Sequence, residues 1–163
     1  MPLPTAHHRG WVIVVTFVAA WLLEIVPMPG WLAPLRPEWP AMVLIYWCLA
    51  LPQRVGVGIG WGVGLVVDVL RGALLGQHAL GYAVMAYLAV QLHRRIRVFP
   101  QWQQALTVMI FVSLHQLLVL WVLGMIGKAP GTLWYWLPTF TSAALWPWMF
   151  LGLRGVRRRF RVS

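Results

Sequence analysis

Asp68 and Arg71 stand three residues apart in a stretch otherwise made of valine, leucine and glycine. That spacing can pair two side chains on one helix face. A carboxylate at membrane depth costs roughly 2.5–3.5 kcal/mol, so Asp68 should face protein or water. It reads either as a polar contact for a partner helix, an ion or a substrate, or as half of a local Asp68–Arg71 pair that stabilises the fold. His115 and Gln116, with Ser113 beside them, fall mid-way along another apolar segment. A histidine there could relay protons or bind a metal. The plainer reading is an interhelical hydrogen bond, worth ~0.6 kcal/mol in membranes. No second histidine, cysteine or carboxylate lies at a ligand spacing on that segment, so no metal site is expected. His78 and His93 flank a further segment and read as interfacial, and Glu24, near the end of the first, reads as hydrated. No glycine-rich phosphate loop, Ser/His/Asp order or zinc signature occurs, so neither a catalytic site nor a cofactor is expected.

The elements that must carry these residues are helical. Gly56, Gly60 and Gly64 recur every four residues and Asp68 takes the next place. With 3.6 residues per turn each step advances about 40° past a full turn, giving a slowly winding stripe. Small residues in such a stripe let helix backbones approach where lipid supplies no hydrophobic drive. Gly58 and Gly62 lie on the other side, so the segment is expected to be sandwiched centrally between neighbours. Gly72 and Gly76 flank the sharp turn that follows Arg71 and leads to His78, where glycine permits unusual backbone angles.

Composition sets the class. The 163 residues are 61% apolar and only 10% charged, against ~25% charged in a soluble domain. This balance suits an all-α polytopic membrane protein. A single cysteine, Cys48, excludes an intrachain disulfide framework. The net charge of +10 sits mainly in short clusters between apolar runs, the pattern of membrane topology rather than of nucleic-acid binding. The run from Trp11 to Val26 ends in Pro27-Met28-Pro29-Gly30 without a small-residue cleavage site, and reads as a retained span.

Six apolar segments follow, at about 11–27, 40–53, 55–70, 73–92, 104–126 and 133–153. The second and third are short for a ~30 Å hydrocarbon core and either sit deep in the bundle or have displaced ends. An inside N-terminus puts Arg9, Arg54, Arg94, Arg95, Arg97, Arg154, Arg157, Arg158, Arg159 and Arg161 on the cytoplasmic side and only Arg36, Arg71 and Lys128 opposite. The positive-inside rule then favours six spans in one compact bundle, residues 1–163 forming a single membrane domain with both termini cytoplasmic. Trp11, Trp31, Trp39, Trp102, Trp134 and Trp136 fall near segment ends, where indoles favour headgroups. Trp21, Trp47, Trp61 and Trp121 lie deeper and are expected to pack between helices. The C-terminal arginines read as a topology anchor on anionic lipid, at roughly 1 kcal/mol per charge near the surface. A docking site for a cytoplasmic protein is the sharper alternative, with Arg94, Arg95 and Arg97 cooperating.

At the run Tyr46-Trp47-Cys48-Leu49-Ala50-Leu51-Pro52-Gln53-Arg54-Val55-Gly56, and again at Gly60-Trp61, Gly64, Asp68, Gly72 and Leu75-Gly76-Gln77-His78-Ala79-Leu80, the chain resembles the MreD family of rod shape-determining proteins in its Gram-negative form. The likeness covers nearly the whole length. It implies a non-enzymatic inner-membrane component of the cell-elongation machinery. That component works with the bitopic protein MreC, and connects MreB filaments with the RodA glycosyltransferase and its transpeptidase partner in peptidoglycan synthesis. It also implies a fold similar to the substrate-binding subunits of energy-coupling-factor transporters. Gly64, Asp68, Gly72 and Gly76 carry over as structural or interface residues, with no catalytic motif among them. Two rivals stand beside this reading. One is a small-molecule-binding transporter subunit lined around Asp68 and His115; the other is an intramembrane lipid-handling enzyme, for which the chain offers few acids and bases.

Overall fold

The computed structural model describes residues 10–27, 29–32, 35–72, 74–127, 131 and 133–160. Arg9, Lys128 and Arg161 lie outside the described residues. Six α-helices follow in order: α1 (Gly10–Ile25), α2 (Trp39–Ala50), α3 (Val57–Arg71), α4 (Gln77–Arg97), α5 (Gln101–Met125) and α6 (Leu137–Arg159), the last preceded by a 3-10 turn at Leu133–Trp136. No strand occurs among the described residues.

Each helix corresponds to one apolar segment, with ends that differ for local reasons. α2 stops at Ala50 because Leu51 precedes Pro52, and the proline ring drives the residue before it out of the helical region; Leu51 has φ −132° and ψ 68°. Pro40 and Pro138 sit in the first turns of α2 and α6, where a missing N–H costs nothing. α4 and α6 run past the apolar segments through Arg97 and Arg159. Arginine is a good helix former, and its charge is favoured at a helix C-terminus. Apolarity therefore marked the ends of the hydrophobic stretch, not the ends of the helix.

The core is built around α2. Every residue from Pro40 to Ala50 is buried, as expected of a helix apolar on all sides. Its 12 residues reach about 18 Å. α4 packs against α3, α5 and α2, while α6 packs on α5 and α2, and α1 on α2. The expectation of a sandwiched third segment is corrected: α3 is an edge helix. A Cβ on Gly60 or Gly64 would strike α4, whereas one on Gly58 or Gly62 would meet nothing within 4 Å. One flank of α3 is packed and the other is open. Trp47 and Trp146 are wholly buried and Trp21 is half-buried, but Trp61 and Trp121 are exposed, the reverse of their expected packing between helices.

The outward faces are apolar. Trp11, Val14, Val15, Val18 and Leu22 project from α1, Ile110, Leu117 and Trp121 from α5, and Phe140, Trp148 and Leu151 from α6. All three acidic side chains are buried. Among the described residues one helix, α5, is by itself long and apolar enough to cross a membrane; α1 and α2 are apolar but shorter.

Candidate functional site

The polar chemistry gathers at one end of the bundle, where α1 and α3 finish and α2 and α4 begin. α3 closes on Gly72, whose φ of 63° is left-handed and whose N–H returns to the carbonyls of Asp68 and Val69. Gly76, at φ 99°, delivers the chain into α4. Neither angle is comfortable for a residue with a Cβ. This tight reversal brings the start of α4 against the last turn of α3, where Asp68 waits.

Asp68 caps α4 from the preceding helix. Its Oδ2 accepts the Gly76 N–H at 2.8 Å, and its Oδ1 accepts the His78 N–H at 2.7 Å and the His78 ring at 2.8 Å. The first N–H groups of a helix have no partner within it, and a carboxylate there also meets the positive end of the helix dipole. Asp68 has no exposed surface, so these contacts satisfy a charge that would otherwise be stranded. The local Asp68–Arg71 pair is thereby corrected. The carboxylate turns toward the N–H groups of α4, and Arg71 turns the other way.

Arg71 instead joins three other helices. Its Nε donates to Glu24 Oε1 at 2.7 Å, its Nη2 pairs with the same oxygen and lies 3.3 Å from Glu38 Oε2, and its Nη1 lies 3.1 Å from His78 Nε2. A guanidinium can only donate, so His78 Nε2 accepts and the ring proton resides on Nδ1, facing Asp68. The result is one continuous chain from Asp68 through His78 and Arg71 to Glu24 and Glu38. Glu24 and His78 are 3% and 4% exposed, which corrects the hydration expected for Glu24. Burial is possible because α1, α2, α3 and α4 each contribute one or more members of the network.

Glu38, at the N-cap of α2, was not singled out by sequence reasoning. The available signal was that the chain holds only three acids, too few to leave one idle in a loop. Its backbone N–H donates to Ser142 Oγ at 2.9 Å, tying α2 to α6. Arg36 donates to the carbonyls of Glu24 and Val26, closing the C-terminus of α1.

His115 and Gln116 part company in the structure. Gln116 crosslinks α5 to the following turn and α6: its Nε2 donates to the Tyr135 carbonyl at 3.0 Å, its Oε1 accepts from Thr139, and Tyr135 Oη donates to its own carbonyl at 2.6 Å. His115 is wholly enclosed, 4.5 Å from the Tyr82 ring and 5.5 Å from His78 between ring centroids. Gly81 makes this possible, since a Cβ there would lie 2.4 Å from His115 Nδ1. His93 Nδ1 donates locally, to the Val90 carbonyl 2.6 Å away.

A cavity of about 620 Å³ opens beside Glu24, Glu38, Arg71, Arg36, Gln116 and Tyr135. Gln116 thus lines it, while Asp68 and His115, expected as polar lining, do not reach it. Its two carboxylates and two guanidiniums balance each other, leaving no excess charge to draw in an ion. No group of three or more metal-ligating side chains occurs among the described residues. What this arrangement does chemically is lock four helices together at one end.

At the opposite end Arg97 approaches Arg154, Arg157 and Arg158 around a second cavity. Arg94, Arg95 and Arg159 are exposed and do not line that cavity.

Apolar faces turned outward, acids gathered inside and a glycine-packed helix pair define an all-helical bundle. The family model described as rod shape-determining protein MreD matches residues 7–156. The rod shape-determining protein MreD of Haemophilus influenzae is 35% identical over 164 residues, covering 98% of this chain and 99% of that protein. The chain belongs to the MreD family of rod shape-determining proteins. No solved structure matches it significantly.

Proposed function

We propose that this protein is a non-enzymatic, six-span component of the bacterial inner membrane, with both termini cytoplasmic. It binds MreC and helps to organise lateral peptidoglycan synthesis by the elongation machinery, through RodA, its transpeptidase and MreB. The observation that carries the reading is the open flank of α3. Gly58 and Gly62 have nothing within 4 Å of a Cβ position and stand beside exposed Val57, Ile59 and Trp61. Small residues framed by large apolar ones offer a groove for one transmembrane helix, which is what a bitopic partner brings. The outward apolar side chains of α1, α5 and α6 support the membrane placement. The separation of acids at one end from most arginines at the other supports the orientation.

Purification of the tagged chain from its native membrane in mild detergent, followed by mass spectrometry, tests the proposal. MreC should accompany the protein and should be lost from Gly58→Leu/Gly62→Leu while the bundle remains folded. Recovery of an ATPase pair in place of MreC would overturn it. The 620 Å³ cavity favours one second reading, a small-molecule-binding transporter subunit of the energy-coupling-factor kind. That reading requires a ligand that raises the unfolding temperature by binding only the folded chain.

A further inference from the structure

The chain has three acidic side chains, Glu24, Glu38 and Asp68, and all three belong to the network at the α3–α4 turn. The other end of the bundle therefore holds its arginines without any acidic side chain of the chain to answer them. There, a cavity of about 500 Å³ is lined by Arg97, Arg154, Arg157 and Arg158, with Leu49 and Phe150 on its apolar side. Arg154, Arg157 and Arg158 fall at positions i, i+3 and i+4 of α6, so they share one face and repel one another. Arg97 comes from the last turn of α4 and is pinned there, its Nη2 donating 2.6 Å to the Ala50 carbonyl at the end of α2. Gln104 holds the wall. Its Nε2 donates to the Ile96 carbonyl at 3.1 Å, and its Oε1 accepts from Trp146 Nε1 at 3.3 Å. The cavity is thus a recess bordered by α2, α4, α5 and α6, not a run of arginines along one helix.

We propose that this recess binds the phosphodiester headgroup of an anionic membrane phospholipid, one molecule per chain. Guanidinium groups match phosphate oxygens with paired N–H donors. The apolar wall at Leu49 and Phe150 suits a headgroup that remains attached to its acyl chains, which a free phosphate ion would leave unused. A bound headgroup relieves the mutual repulsion of the arginines and ties α2, α4 and α6 together at that end. The inference rests on the membrane placement proposed above, and is independent of MreC.

The test uses the full chain in phosphatidylcholine nanodiscs doped with phosphatidylglycerol, read by native mass spectrometry and by thermal unfolding. The wild type should retain one phosphatidylglycerol and unfold at higher temperature than in pure phosphatidylcholine. Arg154→Gln/Arg157→Gln/Arg158→Gln should weaken retention about a hundredfold, at about fivefold per lost contact near a membrane surface. Arg94→Gln/Arg95→Gln/Arg159→Gln removes the same three charges from outside the cavity, the net charge falling from +10 to +7 in both variants, and should retain the lipid. Equal loss from both variants would reduce the site to diffuse attraction and overturn the proposal. So would inorganic phosphate stabilising the detergent-solubilised wild type as well as phosphatidylglycerol does, or a lipid-free cavity whose mutation releases a bound acidic protein. A chain that stays monodisperse without detergent would overturn the membrane placement itself, whereas an inserted chain without bound lipid overturns only the recess.

Discussion

Asp68 and His78 meet across the turn between α3 and α4 through two contacts, the backbone N–H of His78 at 2.7 Å and its ring Nδ1 at 2.8 Å from the same carboxylate oxygen. One side chain from the last turn of α3 therefore begins the next helix and sets the tautomer of the histidine that contacts Arg71. Asp68→Leu leaves buried N–H groups unpaired, at about 1–3 kcal/mol each. It should unfold the α3–α4 hairpin at markedly lower denaturant concentration. Asp68→Asn keeps an acceptor oxygen and should lose less. Cys48, wholly buried in α2, provides the readout, since its thiol becomes accessible to a maleimide only when the core opens. Wild-type protection of Cys48 in Asp68→Leu would refute the capping role.

Arg71 is the centre of the internal charge network, and removing it strands two carboxylates. Breaking a buried ion pair from one side costs about 3–5 kcal/mol. Arg71 is 32% exposed toward the cavity, which places the expected loss for Arg71→Leu near the lower end. Arg71→Lys should restore only part of it, because an ammonium cannot reach Glu24, Glu38 and His78 together as the guanidinium fork does. The measurement is the ranking by detergent-phase unfolding, Arg71→Leu below Arg71→Lys below wild type. A lysine variant as stable as wild type would sink the argument.

The glycines of α3 separate into two sets with opposite expected behaviour. A Cβ on Gly64 would sit 2.4 Å from the Cα of Ala79, and one on Gly60 2.9 Å from the Tyr82 carbonyl, both fixed backbone atoms of α4. Gly64→Ala and Gly60→Ala should each push the helices apart and destabilise by about 1–3 kcal/mol. Gly58→Ala and Gly62→Ala meet nothing and should raise the stability of the isolated chain by up to about 1 kcal/mol through helix propensity. Gly56, where a Cβ would meet Val90 at 4.0 Å, should accept alanine. Thermal unfolding of the five variants decides it, and equal effects at Gly58 and Gly64 would contradict the edge position of α3.

Gly81 and His115 should be coupled. The Cβ of Gly81→Ala collides with the His115 ring, so the single change destabilises, whereas His115→Ala removes the obstacle and the double variant should recover most of the loss. A double-mutant cycle with an interaction term of about 1 kcal/mol or more is expected for residues in such contact. Strict additivity would show that His115 moves aside freely.

The helical class, the number of helices and the turn at Gly72–Gly76 were legible in the chain, because each follows from neighbouring residues. Apolar runs of suitable length, prolines at their starts and glycines at positive φ act over a few positions, and the four-residue ladder pointed to close packing on α3. What the linear order could not contain was partnership. Asp68 and Arg71 have the spacing of a pair, yet the carboxylate found the N–H groups of α4 and the guanidinium found Glu24 and Glu38, 47 and 33 residues away. A buried charge takes whichever partners best replace its lost water, and those are set by how helices pack. The same reason buried Glu24 and His78 among the helix ends, made α2 rather than α3 the centre, and gathered Arg97 with Arg154, Arg157 and Arg158 around one recess. Local chemistry determined the helices of this protein; only their packing decided which charges answer one another.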